Sequence, residues 1–469
     1  MAGATPQDLT AQIARANAAP ATLTLDAGGR YTLDVTHLPP AVKRLHLVGA
    51  GATVEITDAP VTPGTVVFTD CTFEKVAFTA PTITNPKVPF AGYANARNAF
   101  VDCTFLDYAP SIVYQHGRGL VFERNRVLAS DRPPPLMFSN VFCPLGDFSF
   151  KGNEMNFPPN SPPGQGAGGI LVGASGPASA GQQFSNWHIS DNRFLDADRP
   201  GYALDTIVDL EAGRASMRDI WVERNVCFNG KIDCNTGDNI WITDNRCRIT
   251  RPGAGELLAQ SAMFYVIATG ATGLGSVHVE RNVYVQEATT SPTVKAQAVL
   301  IHPQVHIAEL VVKGNTFLVN GSGLPPVPPG VVGVHLKAEA PPGVVIDRLE
   351  ISENVFGFTS PNVTPGTLIA VNHPSPRAGV GIGSLTIRDN RLLAGGTLDG
   401  CPPLSPAPRI TQYLRLGFPG HAITVADLVV TGNVAPPGSI VGKWFSSPPQ
   451  GVTVQRSTFQ GNQPPPNPG

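Results

Sequence analysis

Four carboxylates crowd one stretch of the chain. Asp205, Asp209 and Glu211 lie on ALDTIVDLEAG, and Asp233 lies on KIDCNTGDN shortly after. Alternate side chains of a strand point to opposite faces, so if Val208, Leu210, Ile232 and Cys234 face a core, these acids face outward. Asp209 and Asp233 then sit on neighbouring strands about 5 Å apart. At that separation one carboxyl can act as nucleophile and the other as acid on a glycosidic bond, with mutual repulsion raising one pKa. The same residues also fit a solvated acidic stripe or a loop-capping cluster. A second group is His188, Trp221, Trp241 and His278, each four residues before a recurring asparagine. Outward tryptophans can stack on sugar rings, anchor a partner protein, or lie under the chain's own loops. The seven cysteines show no paired CxxC spacing, and His302, His335 and His373 align only loosely. No metal and no cofactor is therefore expected.

The elements that must position these groups come from one phrase, apolar-x-apolar-x-x-Asn-x-apolar. It carries Asn125, Asn153, Asn192, Asn225, Asn245, Asn282, Asn315, Asn354, Asn390 and Asn433, with Cys71, Cys103 and Ser457 assigned to the same slot in three further copies. The position three before the key residue is apolar in every copy, and the position two before it is mostly polar. Two short strands therefore meet at the key residue. The spacing averages about 32 residues, which leaves room for a third strand, seen in GGILVG, MFYVIA and AVLIHP. Three strands per repeat make a parallel β-helix. The sharp turn needs positive φ, which asparagine tolerates, and stacked asparagine amides would satisfy one another as a ladder.

The phrase, the asparagine turn and the three-strand coil resemble the right-handed parallel β-helix superfamily of pectate lyases, polygalacturonases and phage tailspikes. The resemblance implies an all-β fold, a right-handed single-stranded parallel β-helix of about 13–15 coils with a short N-terminal capping α-helix. The expected organisation is a cap over 1–20, the β-helix over 21–460 and a Pro-rich tail over 461–469. Thr5-Pro6-Gln7-Asp8 reads as the helix start, with Leu9 and Ile13 on its apolar face. Many members bind polysaccharide on the face that carries the acidic strand. The superfamily also holds non-catalytic proteins, so fold alone does not assign activity. The polygalacturonase set of NTD, DD, GHG and RIK does not occur here, CNTGDN being a partial echo, and the lyase pattern of calcium-binding Asp beside an Arg base is not recognisable.

A net charge of −2 gives no case for nucleic acid. No apolar run approaches membrane-spanning length, so no membrane insertion is expected, and no secretion signal is recognisable at the N-terminus. Charged residues make up only 14 % of the chain. Either partners cover part of the surface, or short Pro, Gly and Ala loops dilute its charge. Cys227 with Cys247, and Cys71 with Cys103, are close enough in the repeat for disulfides or for stacks of buried thiols. These features favour a structural or receptor-binding virion protein (tail spike, fibre or capsid decoration) at the virion surface. Its partners would be copies of itself, with a trimer favoured, other particle proteins and a cell-surface polysaccharide. The alternative is an extracellular polysaccharide lyase or glycoside hydrolase.

Overall fold

A computed structural model of the chain describes residues 5–62, 64–82, 90, 95–106, 113–115, 117–128, 141–143, 145–157, 171–172, 182–196, 206–210, 216–228, 231–234, 237–249, 262–268, 273–286, 297–303, 305–319, 331–337, 344–359, 366–372, 380–404, 410, 412–417, 423–440 and 452–463. They fall into two compact units, Met1–Val208 with Arg218–Val226, and Asp209–Met217 with Cys227–Gly469. The protein is all-β, with one α-helix among the described residues, and its named strand pairs are parallel, consistent with a parallel β-helix.

In the first unit the strands that precede the asparagine turn stack in register, Phe100 on Phe122 on Phe150 on Ile189. The short strands after the turn do the same, from Thr104–Leu106 through Arg193–Asp196. Like residues thereby lie over like. Phe73 stacks on Phe100 at 4.8 Å and Phe122 on Phe150 at 5.3 Å, and all four are at most 3 % exposed. Aromatic stacking adds to area burial along this column. The helix Leu9–Ala16 covers the N-terminal end, burying Leu9 and Ile13. Its N-cap is Asp8, which accepts from the Ala11 amide, and not Thr5. Gln7 and Asp8 are already extended and pair with Tyr31 and Thr32, so the helix starts later than the Thr-Pro pattern suggests.

The second unit repeats the plan. The strands before the turn run from Asp238–Thr243 through Leu274–Glu280, Ile307–Lys313, Val344–Ser352, Val380–Arg388 and Ile423–Thr431 to Val452–Gln460. Strands upstream of them form a second stack, from Lys231–Cys234 to Gln412–Leu416.

Each asparagine of the ladder is buried. Asn315 is representative: its Oδ1 accepts from the backbone N–H and the side-chain amide of Asn282, at 2.8 and 3.0 Å, and its Nδ2 donates to Val279 O and to Asn354 Oδ1. In the first unit the contacts run from Cys103 through Asn125, Asn153 and Asn192 to Asn225. In the second they run from Asn245 through Asn282, Asn315, Asn354, Asn390 and Asn433 to Asn462.

Three expectations are corrected here. The left-handed residue is not the asparagine but the one before it: Asp102, Arg124, Asp191, Arg224, Asp244, Arg281, Glu353 and Asp389 have φ between 53° and 59°. The asparagine has to bury its amide between two strands, so the exposed neighbour takes the strained backbone. Cys71 does not occupy the ladder position. It follows an earlier bend at Asp70, φ 56°, where Asn98 accepts from its N–H, and Phe73 rather than Phe68 aligns with Phe100. FTDCTF and FVDCTF are nearly identical because both serve a left-handed Asp followed by a buried Cys. Ser457 likewise pairs with Leu428, and the last rung is Asn462, whose neighbour Gln463 still bonds Asn433.

Cys71 and Cys103 are buried free thiols whose Sγ atoms donate to carbonyls, and burial pushes the Cys103 thiol up to about 12. Cys227 and Cys247 are also free and buried, with the Cys227 thiol against Cys247, whose pKa burial raises.

Asn315→Ala would leave the Asn282 N–H and the Val279 carbonyl without partners inside the core. Each such group costs about 1–3 kcal/mol, so a loss of about 3 kcal/mol or more is expected in chemical denaturation. Asn315→Asp, which cannot donate to Val279, should also destabilise the fold rather than rescue it.

Candidate functional site

The outward face of the strands before the turn carries the polar side chains that the repeat aligns. At three pairs of successive left-handed bends an aspartate on one coil is followed by an arginine on the next. Arg124 grips Asp102 through Nε and Nη2 at 2.8 and 3.2 Å, Arg224 grips Asp191 at 2.8 and 3.1 Å, and Arg281 grips Asp244 at 3.0 and 2.9 Å. The guanidinium hydrogen bonds hold the Asp102 and Asp191 carboxyls below their ordinary value. Sequence reading passed over this column, although its signal is plain in ERN, SDN and TDN immediately before the key residue.

Four residues before the asparagine stand the aromatic groups. In the first unit the imidazole of His188, which is exposed, stacks on half-buried Trp221 with centroids 4.6 Å apart and planes 5° from parallel. In the second unit Trp241 and His278 stack at 3.9 Å and 3°. Trp241 donates to Asn239 Oδ1 at 2.7 Å. His278 is held at both ring nitrogens, Nε2 against Ser276 Oγ at 2.8 Å and Nδ1 against Glu280 Oε1 at 3.0 Å. Ser276, His278 and Glu280 alternate along one strand, so all three point outward. The order resembles a Ser-His-acid relay, but the surroundings oppose an oxyanion. The Ser276 N–H donates to Asp238 Oδ1 at 3.0 Å, and Glu309 Oε2 lies 3.4 Å from Ser276 Oγ. Carboxylates stand where acyl transfer needs hydrogen-bond donors, so the cluster suits binding and anchoring of the imidazole rather than nucleophilic attack.

Of the four acids on these strands, only Asp233 has its side chain among the described residues. Asp205 and Glu211 lie outside the described residues, as does the side chain of Asp209, whose backbone belongs to the strand Thr206–Leu210. Asp233 alternates with fully buried Ile232 and Cys234, as expected, yet it is itself only 6 % exposed. It is a covered carboxylate and not part of a solvated stripe. In register with it across the upstream strands follow Tyr265, Leu300, His335, Ala370 and Arg415. His335 and Arg415 are half-buried, and burial pulls the Arg415 pKa down. His335 is in register with Leu300 and not with His302, in keeping with the loose alignment of the histidines along the sequence.

Among the described residues of the pre-turn face the most enclosed charge is Glu350, its side chain 8 % exposed. It accepts from Arg348 Nη2 at 2.7 Å, Arg388 Nη2 at 3.0 Å and Ser352 Oγ at 2.7 Å. Burial works to raise its pKa, and the three donors together outweigh it and hold the carboxyl below its ordinary 4.5. Glu309 pairs with the same Arg348, and Glu353 with Arg388. No group of metal-binding residues occurs among the described residues, and none of their helices is long and apolar enough to cross a membrane.

With this geometry in hand, comparison with known proteins adds no relative: no family model, no curated protein and no solved structure matches the chain.

Because the Glu350 pKa is lower folded than unfolded, its contribution to stability is complete above about pH 4.5 and is lost as pH falls through the lower folded value. Glu350→Gln should reduce stability at pH 7 and flatten the acid limb of a thermal-denaturation series between pH 5 and 3. An unchanged acid limb would show that the clamp does not couple to protonation.

Proposed function

We propose that this protein is a structural surface protein on a right-handed, single-stranded parallel β-helix of about 13–15 coils. In this reading it is a virion component such as a tail spike, fibre or capsid decoration, homo-oligomeric with a trimer favoured, and contacts its receptor through the outward aromatic pairs. The observation that carries the reading is the exposed His188 ring laid flat on half-buried Trp221, a rigid aromatic surface on a sheet whose backbone is already committed to its neighbours. Such a surface provides contact area at little entropic cost, which suits adhesion. The acceptor-rich setting of Ser276 also supports a binding role over a catalytic one. Electron microscopy of purified and particle-bound protein tests the proposal. A symmetric assembly docked on a particle is expected, and a monomer found only free in solution would overturn it. Trp221→Ala should weaken receptor-polysaccharide binding at least tenfold without changing assembly.

A second reading, polysaccharide cleavage, is favoured by one observation, the covered outward carboxylate of Asp233. A carboxyl shielded from water is suited to proton transfer. In that case Asp209→Asn and Asp233→Asn would each abolish release of reducing ends or unsaturated sugars, whereas unchanged turnover in both removes these acids from the chemistry.

A further inference from the structure

The post-turn strands of the second unit carry an apolar patch on their outward side. In register from coil to coil stand Arg248, Val285, Leu318 and Gly357. They alternate with Cys247, Tyr284, Phe317 and Phe356, which are at most 2 % exposed, so they face away from the core. Arg248 is exposed, as that side leads one to expect, yet Val285 and Leu318 are buried. What covers them is the segment 393–404, which leaves the stack after the strand Arg391–Leu392 and folds back across it. Leu404 is buried against Val285 and Leu318, and Leu393, Leu398 and Cys401 pack around them.

Glycines shape this segment. Gly395 and Gly396, at φ 112° and 110°, turn the chain out of the stack, a conformation that a side chain would strain. An antiparallel bridge between Gly396 and Leu404 closes the excursion, the Leu404 N–H donating to Gly396 O at 2.8 Å. At its tip the Cys401 N–H donates to Leu398 O at 2.9 Å, and Arg246 Nη2 donates to Asp399 O at 3.2 Å. Leu404 has its own notch, because a Cβ at Gly357 would stand 2.9 Å from Leu318 and 3.1 Å from Leu404. From Arg246 to Arg391 the segment spans five successive post-turn strands. At ~4.8 Å per coil it reaches about 19 Å along the stack.

In a solenoid each coil bonds only to the two beside it, and coils open neighbour by neighbour. A segment that starts on one coil and is fastened to another four coils away departs from that rule. We infer that residues 393–404 are a strap that couples these five coils into one opening unit, so that no strand between Arg246 and Arg391 exposes its backbone until the strap has lifted. The same coils carry Trp241, His278 and Glu350 on the pre-turn face, so the strap also restrains those side chains relative to one another. The inference does not depend on the virion reading.

Hydrogen exchange of the full chain, read by mass spectrometry, tests it. In the wild type the amides of Val283–Gln286, Thr316–Val319 and Val355–Phe358 should share one level of protection. Leu404→Asp unseats the strap, and protection in these strands should fall about tenfold or more, the effect of losing one buried leucine, and become graded from coil to coil. Amides of Ile423–Thr431, beyond the strap, should change less than about twofold. Leu398→Ser and Arg246→Gln loosen the seat and the tip without placing a charge in the cluster. Each should lower protection about threefold in the same strands, which keeps the test open if Leu404→Asp does not fold. Protection within about twofold of wild type in every folded variant overturns the inference. So does an equal loss in Ile423–Thr431, because the strap would then add only to global stability.

Discussion

The buried asparagine amide is the constraint on which the rest of this structure depends. A turn sharp enough to join two strands leaves a backbone N–H and a carbonyl pointing along the stack rather than within a sheet, and in a dry interior each would be costly. One carboxamide meets both, accepting from the neighbouring turn on one side and donating to a strand carbonyl. The cost of burying it is recovered only when the next coil supplies the same group at the same height. Register therefore propagates from coil to coil, and every other column inherits its alignment from this one.

That inheritance explains why the outward face is so ordered. Once the turns are locked, phenylalanine lies over phenylalanine inside the first unit, and outside it histidine lies flat on tryptophan and arginine reaches the aspartate of the adjacent coil. Exposed ion pairs contribute little individually, but here they sit on residues held in the left-handed conformation, where some compensation is useful. Glu350 is a denser version of the same arrangement, one carboxylate answering two guanidiniums and a hydroxyl.

How much of this could be read from the sequence depends on whether a signal was periodic. The core column from Phe100 to Val430 and the ladder from Asn125 to Asn433 were legible, because a repeated constraint leaves a repeated residue type. Asn462 was not, since the preceding TVQRSTF imitates the phrase five residues too early, and Cys71 was misassigned because two different bends use the same Asp-Cys pair. The role of the residue before each asparagine was overlooked because Arg, Asp, Glu and Gly share no hydropathy, only the property of completing a pair or accepting positive φ. For the acidic strand, alternation placed Asp233 opposite its core neighbours, but a period of two carries no information on whether the outward side is itself covered.

The pairing at the left-handed bends also limits how such a chain can grow. Its hydrophobic and carboxamide columns repeat with every coil, but the charged column does not: Asp102 answers Arg124, Gly152 follows, then Asp191 answers Arg224, and later Asp244 answers Arg281 before Gly314. Losing a single coil by unequal exchange would preserve the core and still strand an aspartate beside a glycine. Exchange of coils in acid–base couples would keep Asp102, Asp191 and Asp244 each beside its arginine, whereas the two acids that follow, Glu353 and Asp389, share Arg388 from outside the column and are free of that restriction.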